Sequence, residues 1–91
     1  MPRIVWRGSA RRRLREIVEY ISDRDPAAAE AFEVALRHGI DRLGAFPQSG
    51  RPGRVAGTRE LMLHPNYLAI YAVGTDHVVI LEILHARRRY P

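Results

Sequence analysis

The 91-residue chain contains no cysteine and no lysine. Without cysteine there is no disulfide framework, no thiolate metal site and no cysteine nucleophile, a composition that suits a reducing compartment. The four histidines share no spacing with carboxylates that would mark a metal site, so neither metal nor cofactor is expected. Long apolar runs are missing too. The opening MPRIVWRG is too short to be a signal peptide, and no segment approaches the length of a membrane span. A cytoplasmic location and no membrane partner are the expectation. There is also no internal repeat and no low-complexity tract.

What is present is ordinary for a folded chain, with 46% hydrophobic and 27% charged residues. The length predicts one domain over 1–91 and leaves room for no second. With lysine absent, arginine carries all fifteen basic charges, and the net charge is +5. The guanidinium fork can grip a carboxylate or a phosphate with two hydrogen bonds, which points to an acidic protein or a nucleic acid as partner. For most of these arginines a solvated basic surface is sufficient explanation, so only placement can single any of them out.

The order of elements reads β, α, α, β, β, β. RIVW (3–6) is a short β-prone run, and Gly8-Ser9 offers a turn and a helix N-cap. In the next segment Ala10, Leu14, Ile17, Val18 and Ile21 recur on one helix face. Asp25-Pro26 reads as an N-cap followed by proline at the first helical position. The second helix carries Ala29, Phe32, Leu36, Ile40 and Leu43 on one side and ends at Gly44 and Pro47, which makes the pair a hairpin. FPQSGRPGRVAG (46–57) reads as a loop with no regular element. Three β-prone runs follow, TRELMLH (58–64), YLAIYAV (67–73) and HVVILEILH (77–85). The tight turns Pro65-Asn66 and Gly74-Thr75-Asp76 make them an antiparallel meander. The fold class expected is α+β, with the first strand and the helical hairpin packed on a C-terminal antiparallel sheet.

A sheet covered on one side by helices should alternate apolar and polar residues, yet the last two runs are apolar on both parities. Tyr67, Ala69, Tyr71 and Val73 stand against Leu68, Ile70 and Ala72, and Val78, Ile80 and Leu84 stand against Val79, Leu81 and Ile83. Either the sheet curls strongly or a second polypeptide covers the outer face, and the extent of the pattern favours the partner.

FPQSGRPG after the second helix, GTREL opening the next strand, YLAIYAV, and the closing VVILEILHARRRYP together resemble the RelE/ParE superfamily of type II toxin–antitoxin toxins. The resemblance spans nearly the whole chain and lies closer to the ParE-like branch. It implies a small toxin bound in a hetero-oligomer with a cognate antitoxin, ParD-like or related. The antitoxin's tail would cover the apolar sheet, with Leu61, Leu63, Leu68, Ile70, Val79 and Leu81 as its candidate contacts.

Two activities come with the resemblance. RelE-like members cleave messenger RNA on the ribosome without metal, and ParE-like members poison DNA gyrase. For cleavage, Arg59 and Arg87 fall at basic positions of the RelE pattern, and His85 and Tyr90 are approximate counterparts of its terminal histidine or tyrosine. The RelE pattern places further cations where this chain has Leu61 and Leu68. Metal-free cleavage needs several cations fixed on one phosphate as its charge grows. The incomplete set points to gyrase inhibition and a block of replication, with Arg59, His85, Arg87, Arg88, Arg89 and Tyr90 as candidate target contacts. The ribosome with its messenger RNA is the alternative target, and a non-toxic antitoxin-binding corepressor is a third reading. Arg59 could instead pair with Glu60 or Glu82, Arg51 and Arg54 read as solvated, and Trp6 reads as core.

Overall fold

Apolar runs broken by Gly, Pro and Asp produce seven elements in the computed structural model, which describes residues 2–87. They are β1 (Arg3–Trp6), α1 (Gly8–Arg24), α2 (Pro26–Ala45), β2 (Arg51–Pro52), β3 (Arg59–His64), β4 (Tyr67–Val73) and β5 (His77–His85). β1, β4 and β5 have the bounds expected from sequence. Helix α1 begins earlier than the Ser9 cap implied. Arg7 holds the N-cap position with no side-chain capping bond, and Ser9 lies inside the first turn. Asp25 is the single residue between the helices. Its Oδ1 accepts the Ala28 amide at 3.1 Å, and Pro26 occupies the first helical position, where its missing N–H costs nothing.

The five strands form one sheet in the order β1-β5-β4-β3-β2. β1 lies parallel to β5, with Ile4 opposite Val78 and Trp6 opposite Ile80, while all other pairings are antiparallel. The 46–57 stretch does hold a regular element, contrary to expectation. Arg51 and Pro52 pair with Glu60 and Arg59 at the sheet's edge, where proline's lack of an N–H is tolerated.

Both helices pack on one face of this sheet. Phe32 and Leu43 of α2 and Ala10 and Ile17 of α1 meet Leu61, Leu63, Ala69, Tyr71, Val78, Ile80 and Ile83 in the main core, and half-buried Trp6 packs against it. Phe32 is fully buried, so truncating it to alanine would remove about 3–5 kcal/mol of stability.

The doubly apolar pattern of β5 has a local cause. From Val73↔Val78 to Tyr71↔Ile80 the β4–β5 ladder keeps one register, and from Ile70↔Glu82 to Tyr67↔His85 it keeps another, one residue displaced. Leu81 is the extra residue of this bulge. A one-residue offset exchanges the faces, so Val78 and Ile80 before it and Ile83 after it all point to the helices.

The outer face is not the bare apolar surface expected. Leu68, Ile70 and Leu84 form a second cluster with half-buried Leu81, and they are only 4%, 7% and 7% exposed within this chain alone. The need for a covering partner therefore does not follow from the sheet itself. Apolar side chains that remain exposed on the strands are Val5 and Met62.

Candidate functional site

The end of β5 is held firmly. His85 lies opposite Tyr67 in the ladder, and the two rings meet edge to face at 5.3 Å and 71°. Tyr67 in turn meets buried Phe32 at 5.2 Å and 69°, which couples the strand end to the main core. Beyond β5 the Ala86 amide donates to Asn66 O at 2.7 Å, and the Arg87 amide donates to His85 Nδ1 at 3.2 Å. With Nδ1 accepting, a neutral His85 ring carries its proton on Nε2, leaving that nitrogen as a donor. The exposed Arg87 is thus presented from a backbone fixed by the β3–β4 turn.

A groove of about 450 Å³ opens beside this tip, between α1 and the ends of β4 and β5. Arg13, Glu16 and Tyr20 form one wall, and Tyr67, Ile83 and His85 form the other. Arg13 and Glu16 pair across one helical turn at 3.7 Å, and the Arg24 guanidinium lies over the Tyr20 ring at 3.6 Å. Arg13, Glu16, Tyr20 and Tyr67 were not picked out from sequence as site residues. Tyr67 could have been found only from the register, because its meeting with His85 depends on the Leu81 bulge.

Arg59 is not part of this arrangement. It stands opposite Tyr71 on β3, whereas His85 stands opposite Tyr67. Those two positions are about 13 Å apart along β4 at the usual strand rise. Its Nη1 donates to Gly50 O at 2.7 Å and to Gln48 O at 3.4 Å, which turns the side chain into the loop before β2. Neither expected carboxylate pairs with it. Glu60 instead accepts from Arg51 Nε at 2.7 Å, so Arg51, read as solvated, holds a buried carboxylate.

The structure thus brings His85 and Arg87 together and leaves Arg59 elsewhere, while Arg88, Arg89 and Tyr90 lie outside the described residues. Of the candidate antitoxin contacts, Leu61 and Leu63 belong to the main core and Leu68 and Ile70 to the second cluster. Val79 and Leu81 are half-buried and retain accessible surface. Leu61 and Leu68, which stand where the RelE pattern carries cations, are buried.

Comparison with known proteins places this fold. Residues 4–90 match the family described as the ParE toxin of the type II toxin–antitoxin system, parDE. The chain is 42% identical over 90 residues to the protein Y4kP of Sinorhizobium fredii, covering 98% of this chain and 93% of that one. It is 35% identical over 88 residues to toxin RelE2 of Caulobacter vibrioides, covering 97% and 99%. A solved structure of the chromosomal ParDE system from P. aeruginosa superposes with a TM-score of 0.80 at 25% identity, covering 93% and 96%. The expected α+β toxin fold is therefore present, and the chain belongs to the ParE toxin family of type II toxin–antitoxin systems.

Proposed function

We propose that this toxin acts on DNA gyrase and so blocks replication, and that a ParD-like or related antitoxin neutralises it in a hetero-oligomer. The observation that carries the choice of target is the dispersed cation set. Arg59 is turned into the Gln48 and Gly50 carbonyls at one end of β4, Arg87 stands at the other end, and the positions between offer the buried Leu61 and Leu68. Each preorganised group aimed at a developing oxyanion is worth about 3–4 kcal/mol, so two missing cations slow phosphodiester cleavage by roughly four to six orders of magnitude. Binding to a target needs no such convergence. The His85–Arg87 tip gives it a ring held against Tyr67 and a cation carried on an anchored backbone.

The ParDE name of the structural neighbour supports the antitoxin partner. In this reading the antitoxin packs over the outer face, where Val79, Leu81, Met62 and Val5 leave apolar surface above the Leu68–Ile70–Leu84 cluster.

In vitro supercoiling by gyrase tests the target, with translation of a defined message on ribosomes run beside it. Purified toxin is expected to abolish supercoiling or trap cleaved DNA and to leave the message intact. Alanine in place of His85 and Arg87 is expected to weaken the effect at least tenfold. Full supercoiling at high toxin concentration, together with transcripts cut only when ribosomes are present, would assign the chain to the messenger-RNA reading that the RelE2 relative's name invites. Normal growth on expression without antitoxin would leave only the corepressor role.

A further inference from the structure

We propose that the N-terminal half of α1 is a surface for duplex DNA, gripping phosphates through Arg11, Arg12 and Arg15, with Arg7 and Arg13 at its margins. Residues 7–15 hold five of the fifteen arginines and no carboxylate. Burial of Ala10 and Ile17 fixes how the helix is rotated against the core. At 100° per residue, Arg11 and Arg15 then fall on the flank toward α2, Arg12 points outward, and Arg13 falls on the flank toward the groove. The surroundings agree. Leu14 and Val18 border a cleft shared with Leu36 and Ile40 of α2, Arg13 lines the groove beside His85, and Arg11, Arg12 and Arg15 are exposed.

This arrangement is unfavourable for the isolated helix in two ways. Arg7, Arg11 and Arg15 follow one another at four-residue spacing, where like charges repel. They also crowd the positive end of the helix dipole, and no acidic residue occupies the first turn. Among the described residues only Arg13 of this set has an ion-pair partner, Glu16. A face serving solubility alone works as well with mixed charges. A polyanion laid on it removes both penalties.

The spread of the cations favours duplex DNA over other polyanions. An acidic peptide would engage one line of side chains, whereas these arginines occupy both flanks and the crest of the helix. A helix about 10–12 Å across fits the B-DNA major groove, about 12 Å wide, with a phosphate strand on either side. The narrow major groove of A-form RNA excludes it. The other exposed positions of this stretch are Gly8 and Ser9, so phosphate contacts dominate and sequence preference is weak. Glu16 and Glu19 on α1, with Glu33 and Asp41 on α2, border the surface and limit it to the N-terminal half. This surface lies beyond the toxin reading and depends on neither gyrase nor antitoxin.

The test uses the full toxin chain and a labelled mixed-sequence DNA duplex of about two helical turns, with the anisotropy titration repeated across a salt series. Replacing Arg11, Arg12 and Arg15 together by alanine is expected to weaken binding at least tenfold. It should also reduce the slope of log K against log salt by about 2 to 3, close to one unit per lost phosphate contact. Thermal melting should show the variant at least as stable as the parent, because repulsion has been removed. A charge control with alanine at the exposed Arg3 and Arg42 should keep most of the affinity. The proposal is overturned if the triple variant keeps the slope, or if the control loses as much as the triple variant. Tighter binding to an RNA duplex of equal length would overturn it too, as would displacement of the DNA by polyglutamate at matched charge.

Discussion

The buried Tyr71 hydroxyl and the Gly50 amide are joined at 2.9 Å, and the same hydroxyl donates to Pro47 O at 2.9 Å. One side chain of β4 thereby fastens the loop between α2 and β2, the same loop whose Gly50 carbonyl receives Arg59. A Cβ on residue 50 would lie 2.5 Å from that hydroxyl and 2.6 Å from Glu60 O, so glycine is required for this close approach.

Tyr71→Phe keeps the ring in the core and deletes both hydrogen bonds. The Gly50 amide and the Pro47 carbonyl then lose their partner, and a buried polar group left unpaired costs about 1–3 kcal/mol. The variant is expected to be destabilised by about 2–3 kcal/mol. In a domain of this size that lowers Tm by about 10 °C or more, measurable by circular dichroism. An unchanged Tm would mean that water replaces the hydroxyl.

Arg51 and Glu60 form a lopsided pair, with side chains 70% and 6% exposed. Removing the exposed partner leaves the buried carboxylate without its cation. Solvent reaches the Arg51 side, so the loss is smaller than for a fully buried pair, about 1–2 kcal/mol for Arg51→Ala. Glu60→Gln added to Arg51→Ala is expected to recover part of it. A double-mutant cycle by urea unfolding measures the coupling, and strict additivity of the two changes would refute it.

Most element bounds were legible because they depend on local chemistry. Asp25-Pro26 caps α2 as its residue types demand, and Pro65-Asn66 and Gly74-Thr75-Asp76 separate the strands where they were expected to. What escaped was set by register or by distant backbone. Apolar residues on both parities of β5 have two explanations, a bare second face or a bulge that swaps faces midway, and nothing around Leu81 distinguishes them in sequence. The meeting of Tyr67 with His85 is hidden for the same reason. Arg59 was read beside the nearest carboxylates, but its partners are the backbone carbonyls of Gln48 and Gly50, whose positions only the folded loop defines. The parallel docking of β1 on β5 was likewise invisible, because a four-residue strand carries no mark of its neighbour.

Asp76 and His77 give a pH-dependent signature. The His77 ring lies 2.9 Å from the Asp76 carboxylate, and its hydrogen bond, followed by its charge, holds the Asp76 pKa below the ordinary aspartate value. A depressed folded pKa contributes stability that is present above the unfolded value, about pH 4, and is lost as pH falls through the lower folded value. His77→Ala should return the Asp76 titration to the ordinary range when followed by carboxyl NMR, and should flatten the acid limb of the stability curve below about pH 4. Asp76 is exposed to solvent, so salt should weaken the effect. A midpoint unmoved by the substitution would remove His77 as its cause.

Deleting Leu81 tests whether it is the extra residue of the β5 bulge. Without the extra residue the ladder set by Val73↔Val78 and Tyr71↔Ile80 continues in one register. Ile80 is then followed directly by Glu82, so Glu82 stays opposite Ile70, Ile83 opposite Ala69 and His85 opposite Tyr67, each on its present face. Ile83 therefore stays fully buried in the main core, and the deletion is expected to cost about 1–2 kcal/mol, the loss of one half-buried side chain. Leu81→Ala keeps the residue count and is expected to cost about 1–2 kcal/mol, since the side chain is only half-buried. Both variants lose the same side chain, and only the deletion changes the residue count. If the deletion were far worse than the alanine substitution by urea unfolding, or if His85 lost its contacts to Tyr67 by NMR, Leu81 would not be the residue that the ladder can spare.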